Sequence, residues 1–179
     1  MTTIPDGLPT LSAGPHLPSS GKACIMEYVS VLTGDKWTDL PQSTAMAVAK
    51  AAQGVNDTLQ DDERHLILPF IHRLTAASDM NEACFNALSE IVSDEYYTYS
   101  YDGNQSYLGD DLYEHAGSLP VGHWDPVQRK FQRNPQPLID FLDQVLTIHE
   151  QHVKHEVKEV TPEALADAKR LIENRALVV

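Results

Sequence analysis

The chain has 179 residues, of which 42% are hydrophobic and 22% are charged, a composition typical of a globular protein with one hydrophobic core. It carries 26 acidic and 13 basic side chains, so the net charge is -13 and direct binding to nucleic acid phosphates is not expected. The sequence contains no apolar run of the roughly 18 residues that a membrane span needs, and no secretory signal at its start. We therefore expect a cytoplasmic protein that does not bind membranes.

The N-terminal part of the chain changes from an irregular segment to helices. Residues 1–20 are rich in proline, glycine, serine and threonine and have no hydrophobic period, which predicts an extended or disordered arm. The helical domain is expected to span residues 21–179, with its first helix starting at Gly21 and ending at a left-handed Gly34. Ser43 is expected to cap a second, alanine-rich helix whose narrow apolar stripe permits close helix approach.

Two further helical segments complete a predicted helical unit over residues 21–94. The third segment contains Pro69, which removes a backbone hydrogen bond and predicts a break just before it. The fourth helix is expected to start at Asp79, which would form a capping box with Glu82.

The next region is predicted to be a loop or hairpin over residues 95–136. The stretch from 94 to 136 holds six of the seven tyrosines, and Asp102-Gly103 is a hairpin turn signal. Residues 137–179 return to a helical pattern, with a final helix starting at Thr161. The fold class that we predict is therefore mainly α: a single-domain helical bundle with a small tyrosine-rich hairpin or loop excursion.

The first candidate site is a group of five polar residues on the first helices: Glu27, Asp39, Asn56, Asp57 and Arg64. If the second helix folds back against the first, Asn56 and Asp57 approach Glu27, and Arg64 can pair with either carboxylate. Such a group is either a structural cross-brace or an acid/base or ligand site, because perturbed carboxylates also mark functional sites.

The two cysteines, Cys24 and Cys84, are 60 positions apart and form neither a metal-binding nor a disulfide pattern. We expect both on apolar helix faces, where a free thiol behaves as a small hydrophobe. Cys24 would be a nucleophile only beside a histidine base, for which His65 and His72 are nearest in sequence.

The second candidate site is a histidine group at the end of the fifth predicted helix. His149, His152 and Glu156 have the spacing of three or four residues that can hold a divalent metal on one helix face. The alternative is a solvated helix end in which histidines offset the negative end of the helix dipole. No other cofactor is indicated.

The third candidate site is a tyrosine-rich and acidic surface formed by Tyr97, Tyr99, Tyr101, Asp110 and Asp111. Tyrosine supplies rigid, amphipathic contact area, and the acidic side chains would suit a basic protein partner. The alternative is a hairpin whose tyrosines cover the helical core.

Five short motifs follow one another in the first part of the chain: Gly21-Lys-Ala-Cys24-Ile-Met-Glu27, Gly34-Asp-Lys-Trp37-Thr-Asp39-Leu-Pro41, Val55-Asn56-Asp57, Asp62-Glu-Arg64 and Leu68-Pro69-Phe70-Ile71. In their order and spacing, residues 19–76 resemble a family of small proteins from actinobacteria and their phages. This resemblance implies an actinobacterial or phage setting and supplies no catalytic residue.

Taken together, these patterns favour a non-enzymatic accessory or regulatory protein that binds a basic or mixed protein surface. The first alternative is a small metal-dependent enzyme that uses His149, His152 and Glu156. The second alternative is an oligomeric scaffold or assembly component.

Overall fold

The computed structural model describes residues 9–92, 105–119 and 134–153. Within these ranges the chain is mainly helical, and the predicted helical bundle is confirmed. The strands are β1 (Thr10–Leu11) and β2 (Lys22–Ala23), and the α-helices are α1 (Ile25–Leu32), α2 (Met46–Thr58), α3 (Ile71–Leu74), α4 (Glu82–Val92), α5 (Ser106–Ser118) and α6 (Gln136–His152). Two 3₁₀ helices span Pro18–Ser20 and Arg64–Phe70.

The first helix, α1, begins later than its hydrophobic pattern predicts because Cys24 caps it. The Cys24 backbone N–H donates to the Glu27 carboxylate over 2.7 Å, and the Glu27 N–H donates to the Cys24 thiol over 3.4 Å. This reciprocal pair is a capping box in which a thiol replaces the usual hydroxyl. Gly34, at a φ of 81°, ends the helix as expected. The two residues before Cys24 form β2, which pairs in parallel with β1.

The helix α2 packs against α1, α5 and α6, so most of its residues are buried. Its small side chains, mainly alanine, allow these helices to approach it closely. The buried residues of α2 are Ala47, Val48, Ala49, Ala51, Ala52, Gln53, Gly54, Val55 and Asn56.

The prediction that Ser43 caps α2 was wrong. The helix begins at Met46 without a side-chain cap, and the Ser43 N–H instead donates to Asp35 over 3.1 Å. One of the amide groups at the start of α2 is satisfied from a distant part of the chain, because the Ala47 N–H donates to the Gln105 side chain over 3.2 Å.

The predicted break just before Pro69 does not occur: Pro69 lies inside the 3₁₀ helix Arg64–Phe70, and the short α3 follows from Ile71. The capping role predicted for Asp79 was wrong. Asn81 takes that role at α4, where its side-chain oxygen accepts a hydrogen bond from the Cys84 N–H over 2.8 Å.

The helix α5 lies inside the segment that the sequence predicts to be a loop or hairpin, so that prediction was wrong for Ser106–Ser118. Its apolar side packs on α2 through Leu108, Leu112 and Ala116, which recur every four residues and are fully buried. The backbones approach closely, because a Cβ atom at Gly54 would lie 2.7 Å from the Tyr113 carbonyl oxygen. The predicted turn at Asp102-Gly103 lies outside the described residues.

The helix α6 buries the apolar stripe that its sequence predicts, including Leu138, Leu142 and Leu146, against α4 and α2. Arg73 joins α3 to α6 through Glu150, with two bonds of 2.6 and 2.9 Å, and through Asp143 at 2.6 Å. These hydrogen bonds raise the pKa of the Arg73 guanidinium. The final helix predicted from residue 161 lies outside the described residues. Among the helices that the structure describes, none is both long and apolar enough to cross a membrane.

Candidate functional site

Residues 9–16, which we call the docked segment, lie extended across the start of α1 and the end of α2. The Thr10 N–H donates to the carbonyl of Gly21 and the Ser12 N–H to the carbonyl of Ala23, both over 2.9 Å. The Leu11 side chain is only 4% exposed and packs in a small apolar cluster with Ala23, Tyr28 and Leu68. From residue 9 onward, the predicted arm is therefore part of the packed structure.

The buried carboxylate of Glu27 binds the C-terminal end of the docked segment. Glu27 is 1% exposed, and its two oxygens accept hydrogen bonds from the His16 N–H at 2.6 Å and the Cys24 N–H at 2.7 Å. The His16 ring nitrogen Nδ1 lies 3.1 Å from the same carboxylate. One side chain thus caps α1 and holds the segment, which explains why a carboxylate is tolerated in this buried position.

The side chains of Asn56 and Asp57 bind the middle of the docked segment from the end of α2. The fully buried Asn56 amide donates to the Ser12 carbonyl over 2.9 Å, and the Asp57 carboxylate accepts from the Gly14 N–H over 2.8 Å. Asn56 also accepts a hydrogen bond from the N–H of Ile25 at the start of α1. The end of α2 therefore joins the segment to the start of α1, because Asn56 binds the backbone two residues before Glu27.

Two aromatic side chains complete the contacts to the docked segment. The Tyr28 hydroxyl donates to the carbonyl of Pro9, and burial raises its pKa. The Trp37 indole N–H donates to the His16 carbonyl over 2.7 Å. We call Glu27, Tyr28, Trp37, Asn56 and Asp57 the clasp. Each member of the clasp binds at least one backbone group of the docked segment.

Arg64 and Asp39 do not take the places that the sequence hypothesis gives them. Arg64 pairs with neither Glu27 nor Asp57. Its Nε donates to the Asn56 carbonyl over 2.8 Å and its Nη2 to the Leu59 carbonyl over 2.6 Å, so it caps the end of α2, and its Nη1 pairs with Asp61. The predicted cross-brace of one arginine with two carboxylates is therefore wrong.

Asp39 enters the region through its backbone, because its carbonyl accepts a hydrogen bond from the Gln53 side chain. Its side chain is half-buried, and its negative charge makes a small contribution to the raised pKa of the Cys24 thiol. Asp39 is thus near the clasp without binding the docked segment.

The hydroxyl of Tyr113 connects α5 to the clasp. It donates to the second oxygen of Asp57 over 3.0 Å, while the first oxygen of Asp57 holds Gly14 and Asn56. The pKa of the Tyr113 hydroxyl is raised, mainly because the group is partly buried and also because it donates this hydrogen bond to a carboxylate. Both oxygens of Asp57 therefore carry hydrogen bonds that link the segment, α2 and α5.

The side chains of the clasp bind the backbone of an extended segment. Both polar atoms of the Asn56 side-chain amide and both Glu27 oxygens are engaged in hydrogen bonds within the fold. A general base or acid must instead exchange a proton with a bound substrate. The geometry thus favours the structural interpretation of this residue group over the acid/base interpretation.

Neither thiol has the environment of a nucleophile. Burial, followed by the charge of Glu27, raises the pKa of the Cys24 thiol, and burial raises that of Cys84 to about 11. Both side chains are buried and carry no disulfide. Reactive cysteines have the opposite shift, because the thiolate is the nucleophile.

We expect the thiols of the folded protein to react with iodoacetamide at about pH 8 at least a hundredfold more slowly than those of the urea-unfolded chain. A Cys84 thiol with a pKa of about 11 is ionised in roughly one molecule in a thousand at that pH. Because folding raises both pKa values, the unfolded chain loses its thiol protons first, so the free energy of unfolding falls as pH rises above about 8.5. Mass spectrometry of alkylated peptides measures the reaction of each cysteine separately. Equal alkylation rates for the folded and the unfolded protein would contradict the conclusion that both thiols are buried and protonated.

The acidic residues of the third candidate site lie on α5. Asp110 is exposed and forms an ion pair with Lys50 at 3.2 Å, and Asp111 is half-buried at the edge of the same face. Tyr97, Tyr99 and Tyr101 lie outside the described residues. The exposed face of α5 also carries Tyr107 and Glu114, which the site prediction omitted.

The predicted metal site is not assembled as expected. His149 is 1% exposed in the core, and its Nε2 lies 2.6 Å from the Asp79 carbonyl oxygen, within hydrogen-bond distance. His152 is exposed, and Glu156 lies outside the described residues. The described part of the chain contains no group of three or more His, Cys, Asp or Glu side chains that could hold a metal ion.

The sequence interpretation missed His16, Trp37 and Tyr113 as members of this region. His16 stands in a proline-rich and glycine-rich stretch without hydrophobic period, so no pattern marks it. Comparisons of the chain with protein-family models, with curated proteins and with solved structures gave no match.

Proposed function

We propose that this protein is a non-enzymatic protein-binding module that engages a basic surface of a partner through the exposed face of α5. We expect this module to act in the cytoplasm, in an actinobacterial or phage setting. Its partner is a protein with clustered lysine and arginine side chains.

The exposed face of α5 carries this proposal. Tyr107, Asp110 and Glu114 are spaced at i, i+3 and i+7, so they lie on one side of the helix, with Asp111 at its edge. Tyr107 is 76% exposed, unusually high for a large aromatic side chain. Exposed tyrosine among acidic residues is typical of a surface that anchors on an aromatic ring and selects partners by charge.

The clasp supports a binding role over an enzymatic one because its polar groups are engaged within the fold. The metal-dependent alternative draws no support from His149, which is directed at a backbone carbonyl in the core. Nor do the cysteines support nucleophilic catalysis, because burial raises both thiol pKa values.

The test is capture of a partner from an actinobacterial lysate, followed by titration of the purified partner. We expect the variant with Tyr107→Ala, Asp110→Asn, Asp111→Asn and Glu114→Gln to bind the purified partner at least about tenfold more weakly than wild type. Wild-type affinity should fall as salt rises to about 150 mM, and the variant should show a weaker dependence, because it has lost three charges.

A matched control removes three exposed charges elsewhere through Asp62→Asn, Glu82→Gln and Glu90→Gln. This control should bind the partner as wild type does, because its changes leave α5 intact. Equal affinity of the α5 variant and the control for the partner would overturn the proposal. Circular dichroism of both variants establishes that each retains its helical content.

A further inference from the structure

The docked segment is held in the way in which proteins hold a separate extended peptide. Hydrogen bonds from the clasp go mainly to its backbone, at the carbonyls of Pro9, Ser12 and His16 and at the N–H groups of Gly14 and His16. Its first residues also extend β2 by parallel pairing. Backbone hydrogen bonds with a few side-chain pockets are the usual basis of extended-peptide recognition.

Three positions of the segment supply specificity. Leu11 fills the apolar pocket, and the His16 ring contacts Glu27. Gly14 has a φ of 78°, which glycine adopts without strain and which other residues rarely adopt. Ala13 and Pro15 are exposed. The contacts therefore define a ligand of the form Leu-x-x-Gly-x-His.

The connection between the segment and α1 allows the segment to leave without unfolding a helix. It runs through Leu17, which is 73% exposed, the short 3₁₀ helix Pro18–Ser20, and Gly21 at a φ of 70°. No side chain of Pro18–Ser20 is buried. This linker therefore has few buried apolar contacts, and it can rearrange at a smaller free-energy cost than a helix of the core.

Departure of the segment leaves Glu27 and Asn56 in need of new partners. Both are at most 1% exposed, and a buried polar group without a hydrogen bond is costly. The same segment from a second molecule restores every one of these contacts. We propose that the clasp is a peptide-binding site that takes residues 9–16 of a second copy of this chain in exchange for its own.

The test weakens the docked segment within the full chain while the clasp stays unchanged. Gly14→Val serves this purpose because a Cβ atom there meets no atom within 4 Å, while a β-branched residue is strained at the positive φ of this position. The probe is a fluorescein-labelled peptide of residues 9–17, and its anisotropy reports binding. We expect the Gly14→Val protein to bind this peptide at least about tenfold more tightly than wild type.

Wild type binds the peptide weakly because its own segment competes at an effective concentration of the order of millimolar. Peptide variants supply the specificity control. The peptide with Leu11→Ala should bind the Gly14→Val protein at least about tenfold more weakly, since it cannot fill the apolar pocket. The peptide with Ala13→Ser should bind equally well, because residue 13 is exposed.

The proposal is overturned if the Gly14→Val protein, with a wild-type circular dichroism spectrum, binds the peptide no more tightly than wild type does. Equal binding of the Leu11→Ala peptide would also overturn it. If Gly14→Val does not fold, Leu11→Ala in the full chain replaces it. If either variant folds when the peptide is added, the exchange is supported. If neither variant folds with the peptide, the segment is an inseparable part of the core and the proposal is overturned.

Discussion

The Gly54→Val substitution is expected to lower the free energy of unfolding by about 3 kcal/mol or more. A Cβ atom at this position would lie 2.7 Å from the Tyr113 carbonyl oxygen and 2.9 Å from the Tyr113 Cα. Both atoms belong to the backbone of α5, so the clash can be relieved only by moving one helix away from the other. Movement of α5 also lengthens the hydrogen bond from the Tyr113 hydroxyl to Asp57. Urea unfolding followed by circular dichroism measures the loss.

The matched control for this substitution is Gly117→Ala on α5. A Cβ atom at Gly117 meets nothing within 4 Å. Alanine has the higher helix propensity, so this control should raise the unfolding free energy by up to about 1 kcal/mol. A Gly54→Val protein within about 1 kcal/mol of wild type, at an unchanged denaturant slope, would show that α2 and α5 do not pack as closely as described.

The Glu27→Ala substitution is expected to cost about 3–4 kcal/mol of unfolding free energy. It removes the acceptor of the His16 and Cys24 backbone N–H groups, whose distances to the carboxylate are 2.6 and 2.7 Å. Each buried N–H group left without an acceptor costs about 1–3 kcal/mol. Loss of the capping box at α1 adds to this cost. Thermal and urea unfolding measure the effect.

Two further variants separate the role of Glu27 from a general effect of removing an acidic residue. Glu27→Gln keeps one oxygen acceptor and should cost about half as much as Glu27→Ala. Glu90→Ala removes an exposed carboxylate from α4 and should change the unfolding free energy by no more than about 0.5 kcal/mol. A loss below about 1 kcal/mol for Glu27→Ala would contradict the assignment of Glu27 to the clasp.

Part of the fold follows from local sequence signals. Gly34 ends α1 because glycine takes a positive φ without strain. Pro69, which has no N–H to donate, lies in a 3₁₀ helix and not in an α-helix. The apolar stripe of α6 is buried as its period predicts. Each of these outcomes depends on residues within one or two helical turns.

The helix α5 shows where local signals are insufficient. Tyrosine, glycine and aspartate have weak helix propensity, so residues 106–118 were predicted to be part of a loop or hairpin. The segment is helical because Leu108, Leu112 and Ala116 pack on the buried surface of α2. Tertiary packing supplies most of the stability of such a helix. The local signal for it is the i, i+4, i+8 spacing of these three apolar residues, which the weak helix propensities of their neighbours outweigh in the sequence.

The candidate site was predicted in part. Glu27, Asn56 and Asp57 come together because α2 folds back towards the start of α1, as the helix order suggests. The partner of Arg64 was predicted wrongly, because the unpaired carbonyls at the end of α2 compete with carboxylates for its donors. His16 was missed because only the path of the docked segment brings it to Glu27.

The sequence by itself determined the helical class, the end of α1 at Gly34 and the buried apolar stripe of α6. The tertiary structure alone decided that residues 9–16 are the ligand of those side chains, and that α5 presents its tyrosine and acidic residues outwards. The physical reason is the range of the interactions. Caps and breaks act within a few residues, whereas the hydrogen-bond partners of a buried polar side chain are fixed by chain segments that only the complete fold brings together.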